Sequence, residues 1–185
     1  MGEVARDLRG GVQSPTGGET PVIALGIDCA TKCGWALVEG PPGAERLLAN
    51  GVLGLGGKTP SWTLIAGLAR QCREAVSKIE VVGIELPWLG KNPHTAIRLG
   101  RYCGQFEQEF GPSGAEIELI RATEWQSRIL GRLGGKTRDQ LKPAAVLWAR
   151  GQFKVRLSED EADAAGIAVH LLRKRAWAAR TARGH

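Results

Sequence analysis

No stretch of this 185-residue chain approaches the run of about 20 apolar residues that a membrane-spanning helix needs. The opening MGEVARDLRGGVQ lacks the apolar core of a secretory signal and the Ser or Thr of a myristoylation site. The expected setting is therefore intracellular, in the cytoplasm. No internal repeat is visible. Cysteine is sparse and scattered, at Cys29, Cys33, Cys72 and Cys103. No second Cys or His pair at ligand spacing follows Cys29 and Cys33, which argues against structural zinc and leaves the four thiols as small buried hydrophobes. Acids are missing from two segments, RILGRLGGKTR and RKRAWAARTARGH, in a chain of net charge +6. Basic runs of this kind suit a polyanion, nucleic acid above all; solvated helix ends are the alternative.

What is present is ordinary for one globular domain: 43% apolar and 24% charged residues, and a length sufficient for a real core. Residues 1–20 are polar and aperiodic and read as a flexible arm. The globular body is expected over 21–175, with a basic tail over 176–185. VIALGID is a continuous apolar run of strand length, suited to a central strand. GWALVEG and RLLANGVLGL follow as strands of an antiparallel meander. Helical spacing of Leu64, Leu68, Cys72, Ala75 and Ile79 predicts a helix from Ser61 to Lys78, started at Pro60. VVGIE is a fourth strand, PHTAIRLGRYCGQFEQEFG a helix closed by Gly111, and EIELI a fifth strand. Helices follow over TEWQSRILG, over TRDQLKPAAVLWARG (disturbed at Pro143) and from Ser158 toward Arg175. The expected fold is α/β: a mixed five-stranded sheet with helices on both faces.

Acids stand where this pattern asks for something else. Asp28 ends the first strand and Glu85 the fourth, and Asp160 and Asp163 open the last helix. Carboxylates at buried strand ends are costly unless paired, and a cation is a common partner for several together. Ser158 and Glu161 form an S-x-x-E capping box, giving Glu161 a structural task. Asp160 and Asp163, three apart, share a helix face. Ala164 and Gly166 would let that helix lie close on the sheet. Acids without His or Cys at ligand spacing favour a hard ion, Mg2+ or Mn2+, and two such ions suit phosphodiester hydrolysis. Trp148 shares a stripe with Leu141, Ala144 and Ala145 and is expected in the core. His170 is expected to be a satisfied buried histidine, and Trp177 either stacks on DNA or packs.

Three segments in order carry a resemblance. LGIDCATKCGWALV, IELPWLGKNPHTAIRLGRYCG and DEADAAGIAVH resemble the strand–Asp, Glu–aromatic–Asn–helix and D-x-x-D-A-x-x-I-A pieces of the RuvC family of Holliday-junction resolvases, within the RNase H-like nucleases. The likeness runs from about Val22 to Leu172. It implies that Asp28, Glu85, Asp160 and Asp163 hold catalytic Mg2+ or Mn2+, two ions per site, and that Trp88 stacks on unpaired bases of a four-way DNA junction. Lys91, Asn92, Arg128, Arg132, Lys136 and Arg138 fall in the family's DNA-contacting segments, although Gln126 stands where a lysine is common. The family also implies a homodimer built on the helix after Glu85, where Ala96, Leu99, Gly100, Cys103 and Gly104 recur at helical spacing. A branch-general flap or fork nuclease, or a non-cleaving binder of branched nucleic acid, are the alternative functions. Nothing in the sequence shows a branch-migration motor as partner.

Overall fold

The computed structural model describes residues 21–87, 92–131 and 138–184, the side chains of Arg138, Asp139 and Arg183 excepted. Five strands form one sheet: β1 (Ile23–Asp28), β2 (Lys32–Glu39), β3 (Arg46–Gly54), β4 (Val81–Glu85) and β5 (Glu116–Ile120). Their spatial order is β3-β2-β1-β4-β5. The first three pair antiparallel, as short turns allow, whereas β1–β4 and β4–β5 are parallel and need helical crossovers. Those crossovers are α1 (Ser61–Ala75) and α2 (Pro93–Phe110). Three further helices follow: α3 (Ala122–Ile129), α4 (Arg138–Phe153) and α5 (Glu159–Arg183).

The period of two along each strand divides the core into two layers. Ile23, Leu25, Ile27, Val82 and Ile84 pack with Ile65 and Leu68 of α1 and Tyr102 and Phe106 of α2. Ala24, Ala36, Val38 and Val81 face the other way, onto Trp125, Ala145 and the Ala-rich body of α5. Glycine serves this second face directly. A Cβ at Gly26 would meet the backbone of Ala164 and Ala168, and one at Gly34 the backbone of Asp160. Helix α5 thus rests on the strand backbones themselves. By the same alternation Asp28, two after Gly26, and Glu85, two after Gly83, lie on the α5 side.

Some boundaries depart from the sequence reading. α1 stops at Ala75, before Lys78. Gly111 closes α2 as expected, though in a right-handed conformation; the chain then tightens into a 3-10 turn over Gly111–Ser113, and Gly114 takes the positive φ of 78°. Pro143 lies inside α4, which runs on past it to Phe153. α5 continues beyond Arg175 to Arg183, because alanine and arginine favour helix and glycine arrives only at Gly184. The start of the C-terminal basic run is turned inward: Arg173, Lys174 and Arg175 pair with Glu45, Glu118 and Glu116, riveting α5 to the sheet. Gly166 faces the ring of Trp125 rather than the sheet.

Candidate active site

Parallel pairing fixes the first two acids. In the β1–β4 register Ile27 lies opposite Ile84, so the next residues, Asp28 and Glu85, end neighbouring strands at one edge of the sheet. Asp28 pairs on its other side with Gly34 of β2, where the start of α5 comes closest. The capping box is formed as its spacing predicts: the Ser158 hydroxyl accepts from the Glu161 amide, and Glu161 Oε2 accepts from the Ser158 amide over 2.8 Å. Glu161 also accepts from Asn50 Nδ2 at 2.6 Å, tying the helix start to β3. Asp160 and Asp163 are thereby presented to the strand ends, and all four acids are half-buried.

Their charges interact. Burial, then Glu85, Asp163 and Asp160 in that order, push Asp28 up to about 8. Burial and then Glu85 push Asp163 up to about 7, with Asp160 adding to it. Lys142 of α4 lies near enough to lower both, and its Nζ pairs with Glu159 at 2.7 Å. Lys32 holds Asp160 at 3.1 Å. Trp125 Nε1 donates to Glu85 Oε2 at 2.6 Å. Among the described residues no three His, Cys, Asp or Glu side chains are yet drawn together tightly enough to hold a metal. The donor set nonetheless fits a hard cation. It is all carboxylate oxygen, its members raise one another's proton affinity, and a divalent ion is what would relieve them. The nearby thiols offer no soft alternative. Cys29 is pushed up by its hydrogen bond with Cys103 and by burial, Cys33 by burial first, and both stay protonated.

The remaining predicted residues fare unevenly. Asn92 caps α2, its Oδ1 accepting from the amides of His94 and Thr95 at 3.0 and 3.3 Å. Arg128 is exposed at the end of α3. Trp88, Lys91, Arg132 and Lys136 lie outside the described residues, as does the side chain of Arg138. On α2, Leu99 and Cys103 are used by the protein's own core, while Gly100, Gly104 and Ile97 face outward. Trp148 packs partly buried, edge-on to Phe153 at 5.8 Å. His170 is buried with Nε2 3.3 Å from Glu124 Oε1; Trp177 is exposed. Sequence reasoning missed Lys32, Lys142 and Trp125. A signal existed for the last, since a Trp in a buried helix stripe needs a partner for its N–H.

The topology and the acid edge together define an RNase H-like α/β protein. No protein-family model matches the sequence. The crossover junction endodeoxyribonuclease RuvC of Bdellovibrio bacteriovorus is 26% identical over 152 residues, 80% of this chain and 89% of the relative. Its namesake from Stenotrophomonas maltophilia is 30% identical over 117 residues, 63% of this chain and 65% of the relative. Among solved structures, Thermus thermophilus RuvC in complex with a Holliday junction substrate superposes with TM-score 0.71 at 17% identity, over 85% of this chain and 96% of that one. The yeast mitochondrial Holliday junction resolvase superposes at 0.56 and 15% identity, over 86% and 81%. The chain is thus similar in sequence to these RuvC proteins and shares the fold of the solved Holliday junction resolvases.

Proposed function

We propose that the chain is a divalent-metal-dependent endodeoxyribonuclease that resolves four-way DNA junctions by paired, symmetric nicks. The observation that carries this is the gathering of Asp28, Glu85, Asp160 and Asp163 at one sheet edge of a RuvC-like fold. These acids are the ligands for Mg2+ or Mn2+, two ions per site, whose binding would draw the carboxylates together. When bound, such ions supply an activated water and offset charge on the leaving oxygen.

The chain's own residues do the rest. Asp28 and Glu85, on neighbouring strands, form the fixed side of the site, and α5 brings Asp160 and Asp163 against it. Lys142 moderates the negative charge that a phosphate must approach. Lys32 pairs with Asp160 and would have to yield it to a cation held there. Trp88 stacks on junction bases, while Lys91, Arg128, Arg132, Lys136 and Arg138 contact phosphates and lend binding a steep salt dependence. Asn92 caps the helix beside that loop, so its contribution to DNA binding is to hold the loop's exit. A homodimer on the outward face of α2, at Ile97, Gly100 and Gly104, would set two sites on symmetric strands.

The test is cleavage of a synthetic four-way junction with Mg2+ or Mn2+, comparing wild type with Asp28→Asn and including linear duplex and flap controls. Symmetric nicks near the crossover, absent in the variant, are expected. Equal cutting of the flap would make the enzyme branch-general. Tight binding without cutting in either metal would reduce the chain to a binding module.

A further inference from the structure

Trp125 is fully enclosed, yet it spends its only polar atom on a carboxylate of the proposed site, Glu85 Oε2 at 2.6 Å. The same ring fills the hollow left by Gly166, where a Cβ would lie 2.5 Å from Cζ3 and 2.8 Å from Cε3. Gly166 follows Asp163 on α5 by less than one turn. One indole therefore touches the strand end that carries Glu85 and the helix that carries the two aspartates. Its own helix is held down nearby, where Glu124 Oε1 meets His170 Nε2 of α5 at 3.3 Å.

We propose that Trp125 is a positioning residue: its N–H fixes the Glu85 carboxylate relative to α5 and so sets how that carboxylate meets a divalent cation. The chemistry suits the task. An indole donates one hydrogen bond and accepts none, so it neither competes for the ion nor changes state with pH. A donor to an ionised oxygen makes a strong, directional bond. The indole engages Oε2, and the ring is fully enclosed with one edge against Gly166. Partners of this kind behind a metal ligand are worth about 10–100-fold in affinity.

The proposal rests on the nuclease reading, and the experiment separates the two. Mn2+ binding is measured by calorimetry without DNA for wild type, for Trp125→Phe, and for a protein carrying benzothienylalanine at position 125, which keeps the ring and replaces N–H by sulfur. Junction binding in EDTA and the split between kcat and KM are recorded alongside. Both variants should bind Mn2+ about tenfold more weakly or worse, with junction binding in EDTA unchanged and the loss of cleavage carried by kcat at fixed Mn2+. If the benzothienyl protein binds Mn2+ within twofold of wild type, the bond does not position Glu85 and the proposal fails, whatever Trp125→Phe does. If wild type neither binds Mn2+ nor cuts, the nuclease reading fails and takes this one with it.

Discussion

Replacing Gly34 by alanine adds one methyl at the point where the helix bearing Asp160 and Asp163 meets the sheet. Gly34 pairs with Asp28 across β1 and β2. A Cβ there would stand 3.0 Å from Asp160 Cβ and nearer still to the carbonyl carbon and oxygen of Asp160. Carbon contacts are optimal at about 3.5–4.0 Å, so the helix start must retreat by roughly 1 Å or more. No rotamer change relieves the clash, because the obstructing atoms are backbone. Overpacking of this kind costs roughly 1–3 kcal/mol. The functional effect is larger in proportion. The capping box moves the first turn of α5 as a unit, so both aspartates shift against Asp28 and Glu85, and a misplacement of about 1 Å can cost on the order of 100-fold in rate. Urea unfolding and single-turnover junction cleavage would be measured together, with Gly67→Ala as control. Gly67 lies in α1, where a Cβ meets nothing within 4 Å, and alanine there should be neutral or stabilising by about 0.5–1 kcal/mol. Gly34→Ala stability within about 0.5 kcal/mol of wild type, with cleavage within about threefold, would refute the backbone contact between α5 and β2.

Removing the cap with Ser158→Ala should lower unfolding free energy by about 1 kcal/mol and reduce Mn2+ affinity; an unchanged urea midpoint would sink the capping argument. Lys32→Met frees Asp160 from an ion pair whose lysine is largely exposed, so Mn2+ binding should tighten by no more than about fivefold, the reach of a surface pair; weaker binding would mean that Lys32 helps the site rather than competing in it. In EDTA, the folded-state values of about 8 for Asp28 and about 7 for Asp163 lie above their ordinary 3.8. Folding then favours the protonated acids, and their share of stability, complete below about pH 4, is lost as pH rises through 7 to 8. Buried His170, held below its ordinary value by desolvation against Glu124, with Lys174 and Arg128 also lowering it, works in the opposite sense. The Asp28 contribution is therefore read as a difference: the stability advantage of Asp28→Asn over wild type should grow between about pH 5 and pH 8, and a shrinking advantage would contradict the burial and crowding of that carboxylate.

Strand and helix identity, and the acids themselves, were legible because their signals are local. The VIALGID and VVGIE runs announce buried strands, and the S-x-x-E spacing announces the start of α5 with its phase. Alternation even assigns Asp28 and Glu85 to the α5 face once Gly26 and Gly83 are seen to serve it. What escaped the sequence depends on meetings between distant residues. Nothing near Lys32 or Lys142 tells that each sits beside a carboxylate of the site. Arg173, Lys174 and Arg175 read as a polyanion surface because their partners, Glu45, Glu116 and Glu118, are far away in sequence. Gly111 marks the end of α2 as its local signal says, whereas the 3-10 turn that follows and the left-handed Gly114 have no such signal.

The glycine and alanine floor beneath α5 has a consequence for how the molecule is made. Asp28 and Glu85 stand side by side once β1 and β4 pair, but the set of acids is two short until α5 settles. On the proposed function, a chain caught in that interval would not cut DNA. The surface it left uncovered would include Val38, Val81, Ile120 and the ring of Trp125 beside Ala24 and Ala36, apolar area open to another unfinished chain. The contact that completes the set of acids is thus also the one that closes the second face of the sheet.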